Sequence, residues 1–126
     1  MPVKFNVIQK ANPLKKNDPK KSYAVIKSDG EITLKQMSKR ISSMSTVNSG
    51  DILAVLDLLV QVMQEEIAQG RIVRLGDFGS FALSLSSEGK EKDTDVNAST
   101  IKGAKLNFRP GKDIKNTLNT LDFEKA

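Results

Sequence analysis

The sequence predicts an α+β fold: two N-terminal helices, a β-sheet with a protruding β-arm, a short C-terminal helix, and a two-stranded extension in front. Three observations predict it. Apolar residues alternate with polar ones at 3–8, 71–75, 81–85 and 101–108, the period of a half-buried strand. Between 34 and 67 they recur three and four apart, the period of a helix face. Glycines at 30, 70, 76, 79 and 111 then punctuate the chain where one period gives way to another.

Val3, Phe5 and Val7 against Lys4 and Asn6, with Ile8 continuing the apolar end, read as a strand. Residues 11–21 hold two prolines and a cluster of Asn and Lys, so they form a loop. Tyr23, Val25 and Ile26 suggest a return strand closed by Asp29-Gly30, and so small a hairpin must pack on the rest of the same domain. Thr33 and Gln36 have capping-box spacing and open a helix over 33–43, with Leu34, Met37 and Ile41 on one side. Asn48 and Asp51 offer a second cap for a helix over 49–69, which Gly70 ends.

The second helix carries apolar residues around well over half of its circumference. A surface helix needs one stripe. The excess has two outlets, burial under the sheet or a self-complementary dimer, and the dimer is preferred, with Ile52, Leu56, Leu59 and Met63 in the interface. Arg71–Leu75 makes a strand, Gly76-Asp77 turns it, and Phe81, Leu83 and Leu85 give the next strand an apolar face. Ser86 to Thr100 contains a single strong hydrophobe, Val96, and reads as a mobile loop or protruding hairpin. Ile101, Leu106 and Phe108 resume the sheet until Pro110-Gly111, and Asp113, Ile114, Leu118 and Leu121 suit the last helix.

With 126 residues, 38% hydrophobic, and no long apolar run, the chain is sized for one soluble domain; nothing in it suits a membrane span or signal peptide, and a cytoplasmic location is expected. Cysteine and histidine are both absent, which removes disulfides, thiol nucleophiles, imidazole bases and the usual zinc ligands. Glu65 and Glu66 point about 100° apart on a helix, and Asp93 with Asp95 lack the other ligands of a calcium loop. The serine-rich stretches have no activating base. Gly76-Asp-Phe-Gly shares letters with a kinase metal-binding motif, without the rest of that apparatus. No catalytic residue, metal site, cofactor or small-molecule substrate is expected.

The net charge of +5 is unevenly spread. Residues 1–30 hold seven Lys against Asp18 and Asp29, whereas 31–70 are net acidic. Lys102, Lys105, Arg109, Lys112 and Lys115 recur over fourteen residues with only Asp113 opposing them, which favours a polyanion partner. Arg109-Pro-Gly-Lys112 puts cations at the entrance to a helix, where unpaired N–H groups attract anions. In Gly76-Asp-Phe-Gly-Ser-Phe81 the glycines allow a tight reversal while Phe78 and Phe81 pack inward, and the turn's N–H groups and the Ser80 hydroxyl can meet a phosphate oxygen.

These two segments resemble the HU/IHF family of bacterial histone-like DNA-binding proteins. Gly76-Asp-Phe-Gly-Ser-Phe81 resembles the family's turn before the arm, and Phe108-Arg-Pro-Gly-Lys112 its strand-to-helix turn after it. The resemblance covers about 33–121. Residues 1–30 resemble the N-terminal strand extension of a variant HU-like group, leaving 31–126 as the HU-like DNA-binding domain. It implies an intertwined homodimer, with Phe78, Phe81 and Phe108 joining the α-helical interface, and a nucleoid-associated role in DNA condensation. It implies double-stranded DNA contacts by Arg74, Gly79, Ser80, Lys90, Lys92, Lys102, Lys105, Arg109, Gly111, Lys112 and Lys115.

The arm departs from the family pattern. Ser84, Ser86 and Ser87 stand where an arginine-rich base is implied, no proline lies between Ser86 and Ser99, and Glu88, Glu91, Asp93 and Asp95 outweigh Lys90 and Lys92. Intercalation is therefore not carried over. The expected function is low-specificity duplex binding through phosphates; the alternative is a protein-interaction module on the same scaffold, using the acidic arm and the N-terminal strands.

Overall fold

The computed structural model describes residues 2–11, 13, 14 and 17–126. Asn12, Lys15 and Lys16 of the expected N-terminal loop lie outside the described residues. The chain divides into two compact units, one of residues 1–33 with 117–126 and the other of 34–116.

The first unit is a three-stranded sheet. Strands β1 (Val3–Lys10) and β2 (Lys21–Ile26) form the expected antiparallel hairpin, with Phe5 opposite Ile26 and Val7 opposite Ala24. A third strand, β6 (Phe123–Lys125), runs parallel to β1 and pairs Val3 with Phe123. The Val3 N–H donates to the Asp122 carbonyl at 2.7 Å and the Ala126 N–H to that of Phe5 at 2.9 Å. The sheet order is therefore β2-β1-β6, where the sequence suggested two strands. Three residues cannot display an alternation, and their partner lies at the other end of the chain.

The second unit opens with α1 (Leu34–Ser43) and α2 (Ser49–Ala68), which pack on each other. Ser38, with 1% of its surface exposed, sits on the inner side of α1 and donates to the Lys35 carbonyl at 2.6 Å, so a small residue lies where α1 is most enclosed. The Ser42 hydroxyl donates to the Val47 carbonyl at 2.7 Å and ties down the connection. Asn48 caps α2: its Oδ1 accepts from the Asp51 N–H and its Nδ2 donates to the Asp51 carboxylate, both at 2.9 Å. Gly70, at φ +79°, turns the chain out of the helix, and Arg71 pairs there with Glu66.

The sheet of this unit has the order β3-β4-β5, made of β3 (Val73–Leu75), β4 (Gly79–Ser87) and β5 (Ile101–Pro110). All pairings are antiparallel, and Phe81 lies opposite both Val73 and Phe108. Helix α3 (Lys112–Asn119) follows β5. Of the two forms expected for residues 86–100, a mobile loop or a protruding hairpin, the structure has the hairpin, β4 and β5 pairing as far as Ser87 and Ile101, and its tip is folded into two short 3₁₀ turns, at 93–95 and 98–100. Asn97 accepts from the Ser99 N–H at 2.9 Å, Thr100 donates its hydroxyl to the Asn97 carbonyl at 2.7 Å, and Thr100 is buried. The Glu88 N–H closes the tip onto the Thr100 carbonyl at 2.9 Å. Side-chain-to-backbone bonds supply the order that hydrophobic burial does not.

Candidate nucleic-acid interface

The two segments that frame the arm are interlocked through their glycines. The Gly111 N–H donates to the Phe78 carbonyl at 2.8 Å and the Asp113 N–H to the Asp77 carbonyl at 3.1 Å. A Cβ on Gly111 would overlap the Asp77 carbonyl, and one on Gly79, whose φ is +155°, would run into the Phe108 ring and the Arg109 carbonyl. Both positions are fixed by close backbone approach. Two of the donors expected to be unpaired at the entrance to α3 are thus occupied by the opposing turn, which leaves the side chains of Lys112 and Lys115, one turn apart, as that corner's cationic groups.

Antiparallel register assembles a second group. Arg74 and Arg109 lie on either side of Ser80 in one row across three strands. Two residues further along β4 from Ala82, Ser84 faces Lys105, so the side of the sheet that carries Ser80 continues into the arm as Ser84 and Ser86 with Lys105. Ser80 is buried, so the exposed groups of the row are the two guanidinium groups and not the hydroxyl. Among the described residues, the ion pairs are Arg71 with Glu66 and Lys90 with Glu88, the latter at 3.4 Å. Arg74, Lys102, Lys105, Arg109, Lys112 and Lys115 are therefore cations without a carboxylate partner, whereas Lys90 is held by its neighbour and Lys92 sits in the acidic tip. Lys102 falls at the bulge where Ser86 faces Gly103 and Ser87 faces Ile101.

The opposite side of the sheet is apolar. The Phe108 ring stands 5.4 Å from Phe78 and 5.0 Å from Phe81, both tilted at 40°. In α2, Ile52 is the buried hydrophobe among the described residues, at 8% exposure, while Leu56 and Met63 are half-buried. The exposed stripe is Val55, Leu58, Leu59 and Val62, at i, i+3, i+4 and i+7. Sequence reasoning singled out Ile52, Leu56, Leu59 and Met63, a stripe whose members other than Leu59 are sheltered within this chain. The two stripes differ in how far this chain itself covers them, which apolar content alone does not reveal.

Among the described residues no three or more His, Cys, Asp or Glu side chains come together as a metal site would need, and no described helix is long and apolar enough to cross a membrane. Residues 1–125 match the family described as an HU domain fused to a wHTH, Ig or glycine-rich motif. A candidate bacterial DNA-binding protein from Bacteroides vulgatus ATCC 8482 has a similar structure, with a TM-score of 0.66 at 12% identity over 98% of this chain. The chain spans about half of that protein, 47% of its length. A point mutant of HU from Thermotoga maritima aligns with a TM-score of 0.52 at 21% identity, over 69% of this chain and 99% of its own. At these identities the likeness is one of fold. No curated protein matches the sequence.

Proposed function

The chain belongs to the HU-HIG family, described as an HU domain fused to a wHTH, Ig or glycine-rich motif, and from that membership we propose that it is a histone-like protein that binds duplex DNA with low sequence specificity, as a homodimer, and helps to organise the nucleoid. The observation that carries the reading is the row of Arg74, Ser80 and Arg109 continued by Lys105, on the side of the sheet opposite the phenylalanines. Cations without carboxylate partners, spaced along strands, neutralise successive phosphates, and Lys112 and Lys115 extend the charge to the corner before α3. Arg74, Lys105 and Arg109 sit on strands and Lys112 and Lys115 in the first turn of the eight-residue α3, so the protein touches the sugar-phosphate backbone and reads sequence weakly. Gly79 and Gly111 serve the site by holding its two turns together, and Lys90 and Lys92 lie among the carboxylates of the arm tip.

The homodimer is supported by the stripe Val55, Leu58, Leu59 and Val62 and by the exposed Phe78 and Phe108. Contiguous apolar surface of this kind is covered in soluble proteins. A mobility-shift titration at two ionic strengths tests the reading. Affinity should fall steeply with salt and vary little between unrelated duplexes, and Arg74→Gln with Arg109→Gln should flatten the log–log salt dependence by about 0.9 for each phosphate that the protein no longer neutralises. Absence of any shift at low salt would sink the proposal.

A further inference from the structure

The sheet of the first unit has two unlike sides. Val3, Phe5, Val7 and Ala24 lie on the apolar one. The other carries Lys4 and Lys10 of β1 with Lys21 and Tyr23 of β2, because residues opposite each other in an antiparallel pair share a side and side chains alternate along each strand. Lys10 stands directly opposite Lys21, and the Lys27 N–H donates to the Lys4 carbonyl at 2.8 Å, which carries the register on to a Lys4–Lys27 pair. Two like-charged cross-strand pairs therefore frame this side, about 20 Å apart at a strand rise of ~3.3 Å per residue. All four lysines are exposed, and among the described residues none of them is in an ion pair. Glu124, opposite Lys4, is the strand carboxylate on this side.

Like charges directly opposite each other on neighbouring strands repel and are destabilising. Lysines do guard exposed sheet edges, but β1 is the central strand of the order β2-β1-β6, so edge protection does not account for Lys4 and Lys10. A polyanion laid along this side relieves both repulsions. Tyr23 narrows the choice of polyanion. It is 46% exposed and borders a hollow of about 530 Å³ that also touches Lys10 and Lys21 and is walled by Pro13, Asp18 and Pro19. The Asp18 carboxylate repels phosphate but can accept hydrogen bonds from the amino groups of a base. The hollow thus suits a base, and the lysine pairs suit the phosphates that flank it. A duplex keeps its bases stacked and paired, whereas a single strand can splay them onto an aromatic ring.

We propose that this side of the first sheet is a second nucleic-acid surface, one that holds a single strand: Tyr23 stacks a base at the hollow while the Lys10–Lys21 and Lys4–Lys27 pairs take phosphates. Cationic surfaces with aromatic platforms bind single strands in this way and with little regard to sequence. The site lies wholly within the first unit and does not depend on the Arg74–Arg109 row.

Tyr23 is the chain's sole tyrosine and there is no tryptophan, so intrinsic emission reports on this site alone. Titrating the whole chain with oligo-dT at low salt should quench that emission saturably, and the quenching should persist in the Arg74→Gln, Arg109→Gln protein. Heparin, a polyanion without bases, should leave the emission unchanged, and a duplex should quench it several-fold less than the single strand. In the same double-variant background, anisotropy of labelled oligo-dT should show binding weakened several-fold by Lys10→Gln with Lys21→Gln and about fivefold or more by Tyr23→Leu, with Tyr23→Phe retaining it. Absence of quenching, equal quenching by heparin or by the duplex, its loss in the Arg74→Gln, Arg109→Gln protein, or unchanged binding in the lysine and leucine variants would overturn the site. Failure of the duplex-binding row shows differently, as no duplex shift with the oligo-dT quenching intact.

Discussion

Gly111 illustrates how one residue ties sequence to architecture. Its N–H bonds to the Phe78 carbonyl and its missing side chain admits the Asp77 carbonyl, so the turn before the arm and the corner after it meet at a single point. Gly111→Ala must push the two backbones apart, and a destabilisation of about 1–3 kcal/mol is expected from urea unfolding; an unchanged midpoint would show that the corner yields without cost. Asn48→Ala removes the acceptor for the Asp51 N–H and should cost about 1 kcal/mol in the same measurement. The cap was legible as a Ser/Thr/Asn/Asp signal three residues ahead of an acid. The role of Gly111 was legible only as a turn, because the carbonyl that forbids a side chain belongs to a residue more than thirty positions earlier.

At the scale of elements, α2 divides its apolar residues between two tasks. Ile52 belongs to the inside of one chain, and Ile52→Ala should cost about 2–5 kcal/mol of stability. Leu58 lies on the exposed stripe, and Leu58→Lys should leave the protomer's helical content intact while shifting the sedimentation of the protein from dimer to monomer. If both substitutions act alike, the division is wrong. The helix boundaries and caps could be read in advance, since period and capping are local properties. Which stripe is covered could not, because that depends on what packs against α2 in space. The arm tip shows the same limit from the other side: residues 88–100 have almost nothing apolar, yet the Asn97–Thr100 bonds order them.

At the scale of the whole molecule, the two sheets differ in what they bring together. One sheet brings Arg74 and Arg109 into a single row and extends it with Lys105, and the other is completed by a strand from the far end of the chain. Removing residues 120–126 should strip the β1 edge, so that amide exchange at Val3–Phe5 accelerates while the β4–β5 amides keep their protection. Loss of protection in β4 as well would mean that the two units unfold as one. The sequence by itself determined the strand and helix periods, the Asn48 cap, the glycine turns and the acidic arm, because each follows from residues within a few positions of one another. Tertiary structure alone decided the third strand on β1, the burial of Ile52 in place of its neighbours, the occupied donors at α3 and the alignment of Arg74 with Arg109. Those depend on backbone groups distant in sequence meeting in space, and no local pattern records which ones meet.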